Sequence, residues 1–384
     1  MSLQIIRNDE EGMALALQWA AKGLWTTMPN PRVGCIIVQS GRVTAAGFTQ
    51  PAGQAHAEIE ALHAATRNSV DVRGATVYVT LEPCSHHGRT PPCADALIRA
   101  GVGRVVAAIA DPNPLVAGQG LSRLQAAGID TRCGVMAEAA RELNIGFFSR
   151  MQRGVPWVRM KTAASLDGKT ALHNGRSQWI TSPAARADGH AWRARACAIL
   201  TGIGTVLQDD PMLTVREVQT PRQPLRIVVD SRLQISPSAR VLQGGALVVT
   251  AQDDPEKKKG LQDAGCEVLC LVNANGTVDL PALMVELGRR GINELHVEAG
   301  AKLNGSLIVE NCIDELLLYL APKLLGDARE MFALGLLTEL PAARRLTFHA
   351  TAQIGPDLRI LARFDRANEG GSKVVSFDQR ATPR

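Results

Sequence analysis

The sequence predicts an α/β protein built from two successive units, and three observations carry that expectation. From residue 11 to 148 helical runs alternate with short strands, several of them apolar throughout, as in a central sheet covered on both faces. The chain of 384 residues is long for one domain, and a hydrophobic share of 46% can fill more than one core. At Val155 the alternation breaks and a different pattern begins. The expected units are therefore residues 1–150 and 151–366. The polar, aperiodic stretch 367–384, with Gly370-Gly371, reads as a disordered tail.

Residues 11–23 carry Met13, Leu17 and Ala20 at helical spacing, with Gly23 as C-cap. Pro29-Asn30-Pro31 is a rigid turn into the apolar strand 33–38, and a hairpin at Ser40-Gly41 returns through Arg42 to Phe48. Helix 56–66, strand 75–80, helix 92–100, strand 104–110, helix 118–127 and strand 129–133 follow. Helix 137–148 then leads into 150–154, read as a linker. Beyond it, 156–163 is a strand, 183–193 a helix and 226–230 a strand. Residues 296–306 run from a strand through a glycine turn into a helix, and the run from Asp314 to Leu320 precedes a strand and turn at 322–326 that closes the second sheet. Cys266 and Cys270 fall on an apolar strand and read as core residues.

Composition excludes several classes. The net charge of +5 comes from 42 basic and 37 acidic side chains, and no like-charge block exceeds Lys257-Lys258-Lys259, a solvated helix face. A nucleic-acid partner calls for a concentrated basic patch, and none is visible. The first ten residues are too acidic and too poor in apolar side chains for a signal peptide. No apolar run approaches ~18 residues, so no membrane segment is expected. Eight cysteines without a close-spaced framework suit a reducing compartment, and a cytoplasmic location is expected.

The chemistry concentrates in His56-Ala57-Glu58 and in the stretch from Glu82 to Cys93. A catalytic zinc ion takes three protein ligands and keeps one position open for water. His56, Cys84 and Cys93 offer an imidazole and two thiolates for Zn2+. Such an ion lowers the pKa of its water from about 15.7 to about 7, and Glu58 is the expected general acid and base. His56 and Glu58 are two apart and would diverge in mid-helix, so the helix start belongs at the metal. The dipoles of that helix and of the helix starting near Pro92 would favour thiolate there. Taken singly, H-x-E is common and a lone Cys is usually a small core residue. A closed structural zinc wants four ligands, and only three are evident.

H-x-E followed by Pro-Cys and a further Cys is the zinc-deaminase arrangement, in which the Glu is not a ligand. The spacing of the cysteines is wider here than the common C-x-x-C. Pro83-Cys84-Ser85-His86-His87-Gly88-Arg89-Thr90-Pro91-Pro92-Cys93 resembles the deaminase half of the bifunctional deaminase-reductases of riboflavin biosynthesis. The resemblance implies a cytidine-deaminase-like three-layer domain, with Asn30 binding the pyrimidine and His86 and Arg89 holding a ribose phosphate. Guanidinium charge alone suits Arg89 to that role. Asn30 and Asp111-Pro112-Asn113-Pro114 are equally compatible with plain turn chemistry, and His86 with a surface turn.

In the second half, Pro156 to Thr170, Ser177 to Ser182, Gly202 to Leu207, Asp209 to Arg216 and Glu298-Ala299-Gly300 resemble, in order and spacing, the reductase half of the same family. This implies a dihydrofolate-reductase-like fold. It also implies NADPH against Ala163, Trp179, Thr205, Asp209, Ser231, Gly300, Ala301, Lys302, Leu303, Asn304, Gly305 and Ser306. Substrate is implied against Ser177, Arg193, Leu213, Arg216 and Glu298. Physically, a helix start after a strand suits a pyrophosphate, and no G-x-G-x-x-G supports a Rossmann site. In isolation Gly300 and Gly305 read as turn and packing glycines. Arg193 and Arg216 are either solvated cations or a phosphate clamp. Lys161 is either a snorkelling surface amine or a buried one, catalytic at the ribose during hydride transfer.

The resemblance implies two consecutive reactions on small phosphoribosyl-pyrimidine substrates. Zinc-dependent hydrolytic deamination of 2,5-diamino-6-(5-phosphoribosylamino)pyrimidin-4(3H)-one comes first. NADPH-dependent reduction of the ribosyl chain of 5-amino-6-(5-phosphoribosylamino)uracil to ribityl follows. A homo-oligomer is expected. One rival is a nucleotide or tRNA base deaminase with an accessory domain, which predicts stacking aromatics and a basic channel, against an aromatic share of 4%. The other is a zinc-stapled binding module without turnover.

Overall fold

Short apolar segments between helices force the first half into a covered sheet, and the computed structural model, which describes residues 4–86, 91–113 and 116–365, shows it. In chain order the elements are α1 (Asp9–Ala21), β1 (Gly34–Gln39), β2 (Arg42–Phe48), α2 (Ala57–Arg67), β3 (Thr76–Val79), α3 (Cys93–Ala100), β4 (Arg104–Ala107), α4 (Gln119–Ala126), β5 (Asp130–Cys133), α5 (Ala137–Leu143) and α6 (Ile145–Arg153). The sheet order is β2-β1-β3-β4-β5, antiparallel across β1 and parallel from β3 to β5. Two glycines show the layers. A Cβ on Gly34 would lie 2.0 Å from the Ala16 carbonyl of α1, and one on Gly47 would lie 2.5 Å from Ala61 N of α2. Gly34 pairs with Phe48 and Cys35 with Gly47, so α1 and α2 lie on opposite faces.

The second half continues with β6 (Trp157–Ser165), β7 (Lys169–Ala171), α7 (Pro183–Arg195), β8 (Ala198–Gly202), α8 (Ile203–Asp209), β9 (Leu225–Val229), β10 (Leu247–Thr250), α9 (Pro255–Asp263) and β11 (Glu267–Cys270). Then come α10 (Leu280–Arg289), β12 (Glu294–Val297), α11 (Ala301–Val309), β13 (Glu315–Ala321), β14 (Arg329–Glu330), β15 (Leu346–Ile354) and β16 (Asp357–Phe364). They build a nine-stranded sheet ordered β11-β10-β9-β8-β12-β6-β13-β16-β15, with β14-β7 as a separate ribbon. Alternation on the central strands divides the faces. Val158, Met160, Leu295 and Val297 pack into one apolar core, while Arg159, Lys161, Glu294, His296 and Glu298 share the other face.

Several expectations change. Helix 137–148 is two helices, broken at Asn144, whose side chain is spent on Arg32: it accepts from Arg32 N at 2.7 Å and donates to Arg32 O at 2.9 Å. Residues 150–153, expected as linker, complete α6, and Gly154 at φ 75° ends it. Gly23 is not among the positive-φ residues, and Lys22 caps α1. Residues 322–326 are irregular; the hairpin β15-β16 closes the sheet instead, pairing through β16 with β13. Cys266 is buried, whereas Cys270 is exposed because β11 is an edge strand. Arg89 and the tail 367–384 lie outside the described residues.

Candidate active sites

Three elements of the first half converge on one point. His56 is the extended residue before α2, at φ −75° and ψ 166°, and makes no side-chain cap bond, so its ring is free to turn past the helix end. Cys93 is the first residue of α3, and Cys84 lies in the loop after β3. That loop is fixed by Glu82, whose buried carboxylate accepts from the amides of Asp111, Gly118, Gly120 and Leu121 at 2.8–3.3 Å. A Cβ on Gly120 would meet the Pro83 carbonyl at 1.9 Å, so only glycine lets α4 dock there.

The ligand atoms of His56, Cys84 and Cys93 all lie within 4.8 Å of one another. His56 Nδ1 stands 3.7 Å from Cys84 Sγ and 3.3 Å from Cys93 Sγ. Zinc bonds of about 2.3 Å to sulfur and about 2.0 Å to nitrogen span roughly such edges in a tetrahedron, so the donor set fits the ion. Among the described residues this is the one such group of three or more His, Cys, Asp or Glu side chains. Hydrogen bonds from Cys93 and His56 push the Cys84 thiol down, while its bond to Cys84 holds the Cys93 thiol up. The Cys93 amide adds a donation of 3.3 Å to Cys84 Sγ. Glu58, in the first turn of α2, is buried. Burial, reinforced by the negative charge on Cys84, pushes its carboxyl up to about 7, where it can both give and take a proton.

Asn30 is half-buried in the segment entering β1, and the register Cys35 to Val79 puts that segment at the same sheet end as Cys84. His86 is exposed beside the cysteine loop. Asp111, in the turn that sequence alone leaves as turn chemistry, also belongs to this region: burial raises its carboxyl to about 6, against the Asn113 amide, with the charge of Glu82 adding to the rise.

In the second half, β6, β12 and α7 assemble a polar cluster. Glu298 Oε2 lies 3.8 Å from Lys161 Nζ, and Arg193 reaches both oxygens of Glu298, at 2.5 and 2.9 Å. Arg193 is thus not a solvated cation but a fork holding the carboxylate, and its Nη1 also donates to the Thr214 carbonyl at 3.0 Å. Arg216 is exposed and bonds Thr214 as well. Burial lowers the Lys161 amine, opposed by Glu298. Burial would raise Glu298, but Arg193 and Lys161 hold it well below the usual carboxylate range. Sequence reasoning missed His296, whose Nε2 is 3.3 Å from Glu298 Oε1, and His190, which accepts the Arg216 amide at 3.1 Å. His296 was findable: two residues before Glu298 on a strand means the same face.

For a phosphate-bearing cofactor the fit rests on two helix starts. α8 follows β8 from Gly202 and α11 follows β12 through Gly300, and neither has a side-chain cap. β8 and β12 are parallel neighbours, and a Cβ on Gly300 would meet only Thr205 Oγ1, at 3.8 Å, so the backbone of this helix start is not crowded. Thr205 and Asp209 lie on α8, and Ser231 follows β9, where its hydroxyl accepts from Val278 N at 3.1 Å. Ala163 lies on β6; Trp179 and Ser177 lie in the segment before α7, Trp179 exposed under the Arg186 guanidinium. Within 300–306, Gly300, Ala301, Lys302 and Ser306 are accessible. Leu303 packs against Gly202, Asn304 turns inward to the Ala299 and Met331 carbonyls, and Gly305 seats the Ala333 carbonyl. Leu213 is buried at φ 49° in the apolar cluster beneath β9 and β10.

Comparisons with known proteins agree with both halves. Residues 6–109 match the family described as cytidine and deoxycytidylate deaminase zinc-binding region, and residues 156–360 match RibD C-terminal domain. The riboflavin biosynthesis protein RibD of Escherichia coli is 47% identical over 363 residues, covering 91% of this chain and 98% of its own. The structure of Acinetobacter baumannii RibD superposes with a TM-score of 0.84 at 39% identity, covering 93% of this chain and 99% of that one. A Thermotoga maritima structure, described as a diaminohydroxyphosphoribosylaminopyrimidine deaminase/5-amino-6-(5-phosphoribosylamino)uracil reductase, gives 0.83 at 32% identity over 93% of this chain and 98% of its own. A zinc-deaminase half joined to a reductase half, matched over 91% of the chain by such a relative, places the chain in the RibD family.

Proposed function

We propose that His56, Cys84 and Cys93 hold the zinc of a deaminase and that Glu58 moves its protons, within a bifunctional enzyme of riboflavin biosynthesis. The protein deaminates 2,5-diamino-6-(5-phosphoribosylamino)pyrimidin-4(3H)-one and then reduces the ribosyl chain of the resulting uracil to ribityl with NADPH. The carrying observation is the three-ligand cluster with buried Glu58 beside it. Zinc bound there supplies Lewis acidity that brings the pKa of water toward about 7. Glu58, buried beside the ligands, would take a proton from the attacking water and pass it to the ring nitrogen, then take the proton of the added hydroxyl and pass it to the leaving amine, which departs as ammonia. Asn30 positions the pyrimidine, and His86 and Arg89 take the phosphate.

In the reductase half the nicotinamide of NADPH supplies the hydride. The helix starts at Gly202 and Gly300 receive its phosphates, with Ala163, Trp179, Thr205, Asp209 and Ser231 around it. Glu298, held by Arg193, orients the ribose hydroxyls, and Lys161 sits at the reacting carbon. Ser177 and Arg216 complete the substrate side, which Leu213, its side chain buried in the core cluster, can reach only through its backbone. The unit boundary falls after α6, near residue 154. A cytoplasmic location, where thiols stay reduced, is the expected setting for the Cys84 and Cys93 ligands. Among the described residues no helix is long and apolar enough to cross a membrane. A second copy is expected at the edge strand β15, where Phe348 is 73% exposed.

Glu58→Gln tests the deaminase assignment: deamination should fall by about 10²-fold or more with zinc content retained. Unchanged deamination removes Glu58 from the mechanism. For the second half, addition of the uracil-form intermediate should oxidise NADPH.

A further inference from the structure

The segment between α1 and β1 carries Asn30; Asn144 and Leu143 of its own half hold its Arg32 end, and the other half of the molecule holds Trp25, Met28 and Pro29. Arg222 Nε donates to the Trp25 carbonyl at 2.8 Å, and Arg222 Nη2 lies 3.3 Å from Met28 Sδ. Asn293 Nδ2 donates to the Pro29 carbonyl at 2.8 Å. These supports are rigid. Arg222 is fastened to the Ala194 and Ala196 carbonyls at 3.0 and 2.9 Å, at the C-terminal end of α7. Asn293 Oδ1 accepts from Arg150 Nε at 2.6 Å, and its amide donates to Cys197 Sγ at 3.2 Å. Arg32, two residues after Asn30, sends Nη1 to Glu294 at 2.5 Å and Nη2 to the Arg195 carbonyl at 3.3 Å. Within the segment itself, Asn30 is tied only to Thr27, through its amide at 3.0 Å and its carbonyl at 3.2 Å.

We propose that Asn293 and Arg222, residues of the reductase half, are positioning residues for the deaminase. They hold the Trp25 and Pro29 carbonyls in place and so present Asn30 to the pyrimidine before substrate arrives. β12 therefore serves two reactions: the residue before its first end steadies the deaminase loop, and Glu298 after its last faces the reductase site. A loop fixed beforehand loses less freedom on binding, so the effect falls on substrate affinity rather than on the proton transfers made by Glu58.

This inference rests on the proposed role of Asn30, and the test separates the two. In the full-length, zinc-loaded protein, zinc content, both kinetic constants of deamination, and the reductase rate with the uracil-form intermediate are measured for Asn293→Ala, Asn293→Asp, Arg222→Gln and Asn30→Ala. Asn293→Asp keeps the size but turns an acceptor toward the Pro29 carbonyl. The expected result is a deamination KM raised about tenfold in the Asn293 and Arg222 variants, the equivalent of one net hydrogen bond. The deamination kcat, zinc content and reductase rate stay unchanged. An unchanged deamination KM overturns the inference. So does a joint loss of zinc and reductase activity, which would make these contacts general supports of the fold. If Asn30→Ala leaves KM unchanged while Asn293→Ala raises it, the role of Asn30 fails and the support of the loop stands.

Discussion

Glu294 offers a quantitative test of how the two halves are joined. Its carboxylate is 1% exposed and meets Arg32, Arg195 and Arg159 at 2.5, 2.7 and 3.1 Å. Arg159 also pairs with Glu315, and Arg363 links Glu315 to Glu142. Four guanidinium groups thus share three carboxylates, and the cluster already carries an excess of positive charge. Burial would raise the Glu294 carboxyl, but Arg195, Arg32 and Arg159 together hold it well below the usual carboxylate range. Glu294→Gln strips the counter-charge from three cations at once. Arg159 keeps Glu315, whereas Arg32 keeps carbonyl partners and Arg195 keeps the Glu142 carbonyl and the face of Trp192. The cost of unpairing a buried ion is about 3–5 kcal/mol, and Gln, able to accept from some of these donors, should fall near the lower value. Arg32→Met breaks the same closest pair from the other side, yet leaves Glu294 two cations and moves the cluster toward neutrality. It should therefore cost clearly less, about 1–2 kcal/mol of hydrogen bonds to the Leu24 and Leu143 carbonyls. Urea denaturation followed by intrinsic fluorescence reads both. Equal losses from the two variants, or a loss under about 1 kcal/mol from Glu294→Gln, would refute the charge argument.

Cys93→Ser should abolish stoichiometric zinc while leaving NADPH oxidation by the second half intact, as metal analysis beside the reductase assay would show. Glu298→Gln releases Arg193 and Lys161 and weakens the hold on ribose hydroxyls; reductase kcat/KM should fall about 10–100-fold, one charge-assisted hydrogen bond, with deamination unaffected. Asp9 is held down to about 2 by its bond to Arg104, against the desolvation of burial, with Arg132 and Tyr78 assisting. Its native pKa lies below the unfolded value of 3.8, so its contribution, about 2 kcal/mol, is complete above about pH 4 and vanishes as pH falls through about 2. Asp9→Asn should therefore destabilise at neutral pH, and its deficit against the parent should shrink on acidification.

What could be read in the chain was whatever has a local cause. The H-x-E at a helix start, the two cysteines flanking a loop, and the continuous apolar run of β1 each reflect a few adjacent residues, and they led to the metal cluster and the first sheet. The resemblance extended this to the reductase contacts. The hairpin β15-β16 was invisible because β15 is exposed along most of its length and shows no buried face to alternate. Asn144 breaks a periodic helix only because Arg32, 112 residues away, needs its amide. Local pattern gave most elements of the first half, though not the break at Asn144, and pointed to His56, Cys84, Cys93 and Glu58 as candidates. Tertiary structure alone decided that Arg193 is committed to Glu298, that Asn304 faces inward, and that Arg32 crosses to Glu294. Charge pairing and close packing between distant strands have no period in sequence, since the energy that selects a partner exists only once the strands lie side by side.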